Sequence, residues 1–580
     1  MSKPLPADEY RRISLSIDKL QSHYDAIVIG SGYGGSVAAL RLSQARRNGA
    51  PLKVALLERG REIGPGGYPA TLTEFMALAQ FSTPLGVIGP ADGLFDFRTQ
   101  GDVAVVQGCG LGGTSLINAG LAAEPLPWVM QDRAWPQGFR DELPRWPEYV
   151  ARARHMLQPA AWPEDRPAPG KLAALRTSGE AVGQPCVNWP VNVTYEDGVN
   201  HAGVKMRACD GCGDCVMGCN RGAKNTTLFN YLPLAAANGV EIFCQAQVAN
   251  VTRVDEHWQI RLSMLGDQAD LGERTVTADL VVMGAGTLGN FEILARSRQA
   301  GLTLSDRLGH QLSGNGDALG FGYNTEFPIG ALGVGDAEPD PAFPPGPCID
   351  GVIDLRDREE DRTVGSFIMN GVLPKAFLPT LPLMLDAAAT AMGTQTGHGA
   401  AHALREIGRE IEELVLGPKV GALHNTQTYL VMSHDDSGGI LEQGHGDRAH
   451  VHWPHAGNAP YLEAVERRLK ECTAALGGIH VPNPVWNPLF DNKIITCHPL
   501  GSCAMGEDAT NGVTDAKGRV FSGSSGVAIH PNLWVADAAL IPRALGVNPL
   551  LTITALAERT LAHLLAQQGW SGDPGENSTL

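Results

Sequence analysis

Short apolar runs alternate with amphipathic stretches from the start of the chain. Tyr24-Asp-Ala-Ile-Val-Ile-Gly30 is a β-branched run that ends at glycine, the pattern of a buried strand. A helix is expected from Gly35 to about Arg47, and Leu52-Lys-Val-Ala-Leu-Leu-Glu58 reads as a second buried strand. The opening segment therefore predicts a β-α-β unit with a right-handed crossover, the start of a parallel sheet. Val240–Cys244 and Val248–Val254 alternate like paired strands, and Ala278–Gly284 is again a buried run. Residues 125–200, rich in Trp, Pro, Arg and Asp, read as a different layer. Helical patterns are expected within 371–416, alternation around the turn Asp435–Gly439, a strand at Leu533–Asp537 and a last helix from about Leu550 to Gln567.

Composition narrows the class. The 580 residues are 43% apolar and 18% charged, enough for a large core and unlike a disordered chain. The net charge of −17 disfavours nucleic acid and anionic membrane surfaces as partners. No apolar stretch is long enough to span a bilayer, because Gly371–Met392 is broken by prolines, Lys375 and Asp386. The N-terminus has no signal-peptide core, so a cytoplasmic protein with reduced thiols is expected. Seventy glycines and 39 prolines point to many tight turns and close backbone approaches.

The first glycine cluster, Gly30-Ser-Gly32-Tyr-Gly-Gly35, follows a strand and opens a helix, and Glu58 ends the next strand. In that context Gly30 allows the tight turn, Gly32 admits a pyrophosphate drawn by the helix N-terminus, and Gly35 packs helix on strand. Glu58 is placed to accept from a ribose hydroxyl. This predicts a dinucleotide site without separating FAD from NAD.

Three further segments carry a resemblance. They are Gly108-Cys-Gly-Leu-Gly112-Gly113-Thr-Ser-Leu-Ile-Asn118, Gly284-Ala-Gly286-Thr-Leu-Gly-Asn, and a C-terminal block. That block comprises His498-Pro-Leu-Gly-Ser-Cys-Ala-Met-Gly506, Leu533–Pro542 with Asp537 and Ala538, and Gly546-Val-Asn548-Pro. Together they resemble the glucose-methanol-choline (GMC) oxidoreductases, closest in motif to the bacterial cholesterol oxidase branch.

The resemblance implies a Rossmann-like FAD-binding domain with a parallel sheet, and an α+β substrate domain with a mostly antiparallel sheet. The flavin domain is expected from residues 20–130, 236–325 and 490–580, the substrate domain from 131–235 and 326–489. It further implies that Gly108, Gly112, Gly113 and Asn118 lie along the flavin. Val248 would hold the adenine by its backbone, Gly284 and Gly286 belong to the second signature, and Asp537 and Ala538 would contact the ribityl chain and pyrophosphate. Because Ile117 stands where some relatives carry a flavin-linked His, the FAD is expected to be non-covalent. His498 is the expected base and Asn548 its partner on the substrate oxygen. The chemistry agrees: hydride leaves an alcohol carbon more easily when a base with a pKa near neutrality takes the hydroxyl proton. A third, carboxylate side chain found in many relatives is not placed.

One motif departs from the family. Cys209-Asp-Gly-Cys212-Gly-Asp-Cys215-Val-Met-Gly-Cys219, within a cysteine-rich loop at 207–225, has the C-x2-C-x2-C-x3-C spacing by which ferredoxins hold iron–sulfur clusters. We read it first as a 4Fe-4S or 3Fe-4S site, with structural zinc and disulfides or plain thiols as alternatives. A cluster near the flavin would pass electrons to a protein acceptor. The expectation is thus an FAD-dependent dehydrogenase of an apolar, alicyclic or sterol-like alcohol. The alternatives are an oxygen-using oxidase with no cluster, a lyase on the same fold, and an electron carrier without substrate turnover. Residues 371–392 are a candidate lid over an apolar channel or a core helix pair. The histidines at 398, 402, 424, 434, 445, 450, 452 and 455 show no metal spacing.

Overall fold

The computed structural model describes residues 10–83, 86–358, 360–381, 385, 409, 420–444, 446, 448–483, 486 and 492–572. Its first sheet follows from the buried apolar runs. Strand His23–Ile29 lies between Val54–Leu57 and Glu273–Met283, parallel to both, and Glu241–Phe243 extends the sheet beyond Val54–Leu57. Helix Tyr33–Gln44 connects the first two of these strands. It stops before the expected end because Arg46–Arg47 turns back to pair with Ala50–Pro51.

Glu273–Met283 changes neighbours along its length. Its first half pairs antiparallel with His257–Met264, and its last residues, Val281–Met283, pair parallel with Leu533–Val535. The expected pairing of Val240–Cys244 with Val248–Val254 is not what forms. Gln245 takes a positive φ of 57°, which breaks the run, and Ala246–Val254 pairs instead with His257–Met264.

The second sheet has six antiparallel strands in the order Ile479–Pro482, Ala318–Tyr323, Gln427–Met432, Phe367–Gly371, Gly351–Asp354 and Cys186–Asn188. The expected fold class, a Rossmann-like parallel sheet beside a mostly antiparallel one, is what the molecule shows. The boundary at 325 needs correction, since Ala318–Tyr323 hydrogen-bonds on both sides within the antiparallel sheet.

A five-stranded sheet that no sequence pattern announced joins Gly86–Ile88, Ala79–Thr83, Phe95–Arg98, Val103–Gly108 and Ile494–Thr496. Its last two strands run parallel and deliver Gly108 and His498 to the same cavity. Helix Leu550–Gln568 closes the chain as expected. Most of the candidate lid and of the helical patterns in 371–416, and His398, His402 and His445, lie outside the described residues. What is described of 371–381 is a strand end and a short 3-10 turn at Lys375–Phe377. Among the described residues no helix is long and apolar enough to cross a membrane.

Candidate active site

A cavity of about 620 Å³ runs between the parallel and antiparallel sheets. Its lining includes Gly30, Gly32, Glu58, Gly113, Val248, Gly284, Gly286, Asp537 and Ala538, and also Gly108, Asn118, His498 and Asn548. Of the residues predicted for flavin binding and catalysis all converge here but two; the four predicted cysteine ligands do not line this cavity. Gly35 sits behind the cavity wall, where a Cβ would stand 1.9 Å from the Gly30 carbonyl oxygen, so it serves the close helix–strand contact expected of it. Gly112, expected along the flavin, also lies behind the wall, its amide donating to Ser31 Oγ at 2.9 Å. Its φ of 116° turns it toward the neighbouring glycine loop.

The expected dinucleotide site is built from turns that expose amides. Helix Tyr33–Gln44 begins at Gly32 without a side-chain cap, a terminus that leaves N–H groups and a partial positive charge for phosphate. In helix Gly286–Gln299 the first amide is instead taken by the Asp537 carboxylate. Glu58 is buried and accepts from Ser31 Oγ at 2.5 Å, Ser31 N at 3.0 Å and Gly60 N at 2.8 Å, while burial raises its carboxyl above the ordinary range. Asp537 accepts from Gly286 N at 2.7 Å, Ala539 N at 2.9 Å and Asn290 Nδ2 at 2.9 Å, and burial lifts it to about 6. It ties the C-terminal strand to the second glycine signature.

His498 is held by a residue that sequence reasoning missed. Its Nδ1 lies 2.9 Å from both Asp317 oxygens, and Asp317 Oδ2 also accepts from Thr496 Oγ1 at 2.9 Å and from Cys497 N at 2.8 Å. A carboxylate in that position selects the Nδ1–H tautomer and leaves a lone pair on Nε2. Nε2 has no partner among the described residues. The signal was faint: one Asp in the glycine-rich run Ser313-Gly-Asn-Gly-Asp317, far from His498 in sequence. The lining also includes apolar Leu319, Phe321, Leu430 and Met432 from the antiparallel sheet, and Phe75 and Phe377.

The amide oxygens of Asn118 and Asn548 are buried without a hydrogen-bond partner. Buried polar groups are ordinarily satisfied, so these two await a ligand. With the uncapped start of helix Tyr33–Gln44 they fit FAD, whose adenosine would lie toward Glu58 and Val248 and whose ring would lie toward His498.

The four-cysteine loop abuts this cavity. Val216 and Met217, between the third and fourth cysteines, line it, as does Cys348 from the substrate half. Cys209 and Cys215 are buried, Cys212 and Cys219 partly so, and none forms a disulfide. Among the described residues no three of these thiols come within 4.8 Å of one another. Burial pushes Cys209 and Cys212 well above a normal thiol and Cys215 to about 12. Lys224 donates to the carbonyls of Leu116 at 3.1 Å, Asn118, and Cys215 at 3.1 Å, joining flavin loop and cysteine loop; burial lowers its ammonium to about 8. The described histidines at 424, 434, 450, 452 and 455 join no three-donor cluster.

Two family models, both described as GMC oxidoreductase, match residues 24–313 and 479–557. The chain belongs to the GMC oxidoreductase family. It is an FAD-type oxidoreductase of the family acting on CH–OH donors, as the motifs implied. Among its GMC relatives is a cholesterol oxidase of Mycobacterium tuberculosis, 28% identical over 93% of this chain and 91% of the relative. A cholesterol oxidase of Acinetobacter baumannii is 26% identical over 94% and 95%. A long-chain-alcohol oxidase of Arabidopsis thaliana is 24% identical over 92% of this chain and 66% of the relative. In fold the GMC chain is similar to pyridoxine 4-oxidase from Mesorbium loti, with a TM-score of 0.55 at 16% identity, covering 94% of this chain and 99% of that one. It is also similar to a fungal aryl-alcohol oxidase, with a TM-score of 0.57 at 14% identity, covering 94% and 100%.

Proposed function

We propose that this protein dehydrogenates the carbinol carbon of an apolar, alicyclic or sterol-like alcohol with non-covalent FAD. In this reading the electrons leave for a protein acceptor through an iron–sulfur cluster held by Cys209, Cys212, Cys215 and Cys219. The observation that carries the alcohol chemistry is His498, tied to Asp317 at 2.9 Å on Nδ1 and open on Nε2 within an apolar chamber. Bound FAD supplies the hydride-accepting ring.

The chain's own residues do the rest. Asp317 holds the imidazole orientation and tautomer, and Nε2 takes the hydroxyl proton. The Asn548 side-chain NH2 can donate to the substrate oxygen while His498 takes its proton, and so fixes which face of the carbinol meets the ring. Phe75, Leu319, Phe321, Phe377, Leu430 and Met432 keep water out and suit a hydrocarbon skeleton. The names of the relatives, cholesterol and long-chain-alcohol oxidases, support the same substrate class. They also favour a second reading, an oxygen-using oxidase without a cluster.

Anaerobic mixing with sterols, long-chain alcohols and sugars tests the proposal. Sterols or other apolar alcohols are expected to bleach the flavin absorbance, and His498→Ala to slow bleaching on the order of 100-fold with FAD retained. A flavin that no alcohol bleaches overturns the reading and favours a lyase. Iron and acid-labile sulfide in anaerobically purified protein separate the cluster reading from the oxidase reading.

A further inference from the structure

Lys224 buries an ammonium with no carboxylate to answer it. The residue is 2% exposed, and its Nζ donates to three carbonyl oxygens, on Leu116, Asn118 and Cys215. Three donated bonds use all three N–H groups of a charged ammonium. Among the described residues no ion pair satisfies the charge. The ionisable groups that face it are the thiols of Cys215, Cys219 and Cys348. A buried cation without an anion is strongly unfavourable, so a negative charge belongs here.

Burial alone keeps these thiols protonated, so the charge has to come from a bound metal group that displaces the protons, and the backbone is placed to receive it. Cys348 N donates to Cys215 Sγ at 3.4 Å, Ala223 N donates to Cys219 Sγ at 3.4 Å, and the Gly211 amide faces Cys209. A thiol is a weak acceptor and a thiolate a strong one, so three aimed amides anticipate thiolates.

We propose that Lys224 is the counter-charge of an anionic iron–sulfur cluster on Cys209, Cys212, Cys215 and Cys219, and that its bonds to Leu116 and Asn118 fix that cluster against the flavin loop. This rests on the cluster reading given under the proposed function. Lys224 touches neither substrate nor reacting atoms and is a positioning residue. Cys215 is joined to the cavity wall through Cys348, a lining residue whose amide donates to its sulfur.

The test compares wild type, Lys224→Met and Lys224→Arg, purified without oxygen, for iron, sulfide and FAD per chain and for cluster midpoint potential. Lys224→Met is expected to lose about tenfold in iron and sulfide, as outer partners of metal ligands typically do, with FAD retained. Any cluster it keeps should have a lower midpoint potential, since a positive neighbour favours the reduced, more negative state. Lys224→Arg, which keeps the charge, should hold iron better than Lys224→Met. Thermal unfolding with and without iron covers the case of a fragile variant: the substitution should destabilise loaded protein and spare iron-depleted protein. Unchanged iron and potential in Lys224→Met overturn the proposal. Equal destabilisation in both states, or failure to accumulate whether or not iron is supplied, makes Lys224 a staple between carbonyls and overturns it too. Wild-type protein with zinc or no metal fails at the earlier step and rejects the cluster reading itself.

Discussion

Both carboxylate oxygens of Asp317 stand 2.9 Å from Nδ1 of His498, bringing a residue of the antiparallel half onto the candidate base of the C-terminal block. The same carboxylate is anchored by Thr496 Oγ1 and the Cys497 amide, so it cannot turn away without breaking the approach to His498.

Asp317→Asn is therefore expected to slow flavin reduction by about 100-fold or more while FAD content stays unchanged. The amide can donate to Nδ1 and stabilise the wrong tautomer. Anaerobic stopped-flow bleaching with an active alcohol measures it, and an unchanged rate would mean that His498 does not depend on this partner.

Asp537 carries a pH effect of known sign. Burial lifts its carboxyl to about 6, above the roughly 3.9 of an exposed Asp. A carboxyl raised on folding binds its proton more tightly in the native state. Its contribution is thus full below about pH 4 and declines as pH rises through about 6. Asp537→Asn should lower stability by removing acceptors for Gly286 and Ala539. Its deficit relative to wild type should shrink by about 2 kcal/mol between pH 4 and pH 7.5. Urea unfolding of FAD-free protein at both values checks this, and a deficit that grows with pH would contradict it.

An enclosed ion pair lies in the antiparallel half. Lys171 Nζ lies 2.5 Å from Asp350 Oδ2, both side chains fully buried, and Asn370 Nδ2 donates to Oδ1 at 2.5 Å. Lys171→Met should destabilise by about 3–5 kcal/mol because it strands a buried carboxylate. Combining it with Asp350→Leu should recover part of the loss, a non-additivity that chemical denaturation of the four proteins would reveal.

What the sequence made legible was local. Gly30, Gly32 and Gly35 sit beside one another in the chain, and so do His498 and its loop, so spacing alone carried their chemistry. The cysteine run was visible for the same reason. Asp317 and Cys348 were not, because each stands in a loop just ahead of an antiparallel strand, Ala318–Tyr323 or Gly351–Asp354, and a lone Asp or Cys in a glycine- or proline-rich stretch has no distinguishing neighbour. Lys224 lies close to Cys219 in sequence, yet only its three carbonyl partners distinguish it from an ordinary surface lysine. Gly112 misled for the opposite reason. Its motif position matched, but its amide is spent on Ser31.

The change of partner along Glu273–Met283 also has a bearing on how the chain is made. When residues 281–283 leave the ribosome their outer edge is open, and the strand that covers it, Leu533–Val535, is still some 250 residues from synthesis. Until it arrives the nucleotide sheet carries an unpaired apolar edge of the kind that seeds aggregation. The last strand is thus a lock on the whole nucleotide half. Truncations that spare every glycine of the opening motif but stop before residue 529 would still leave it unsealed.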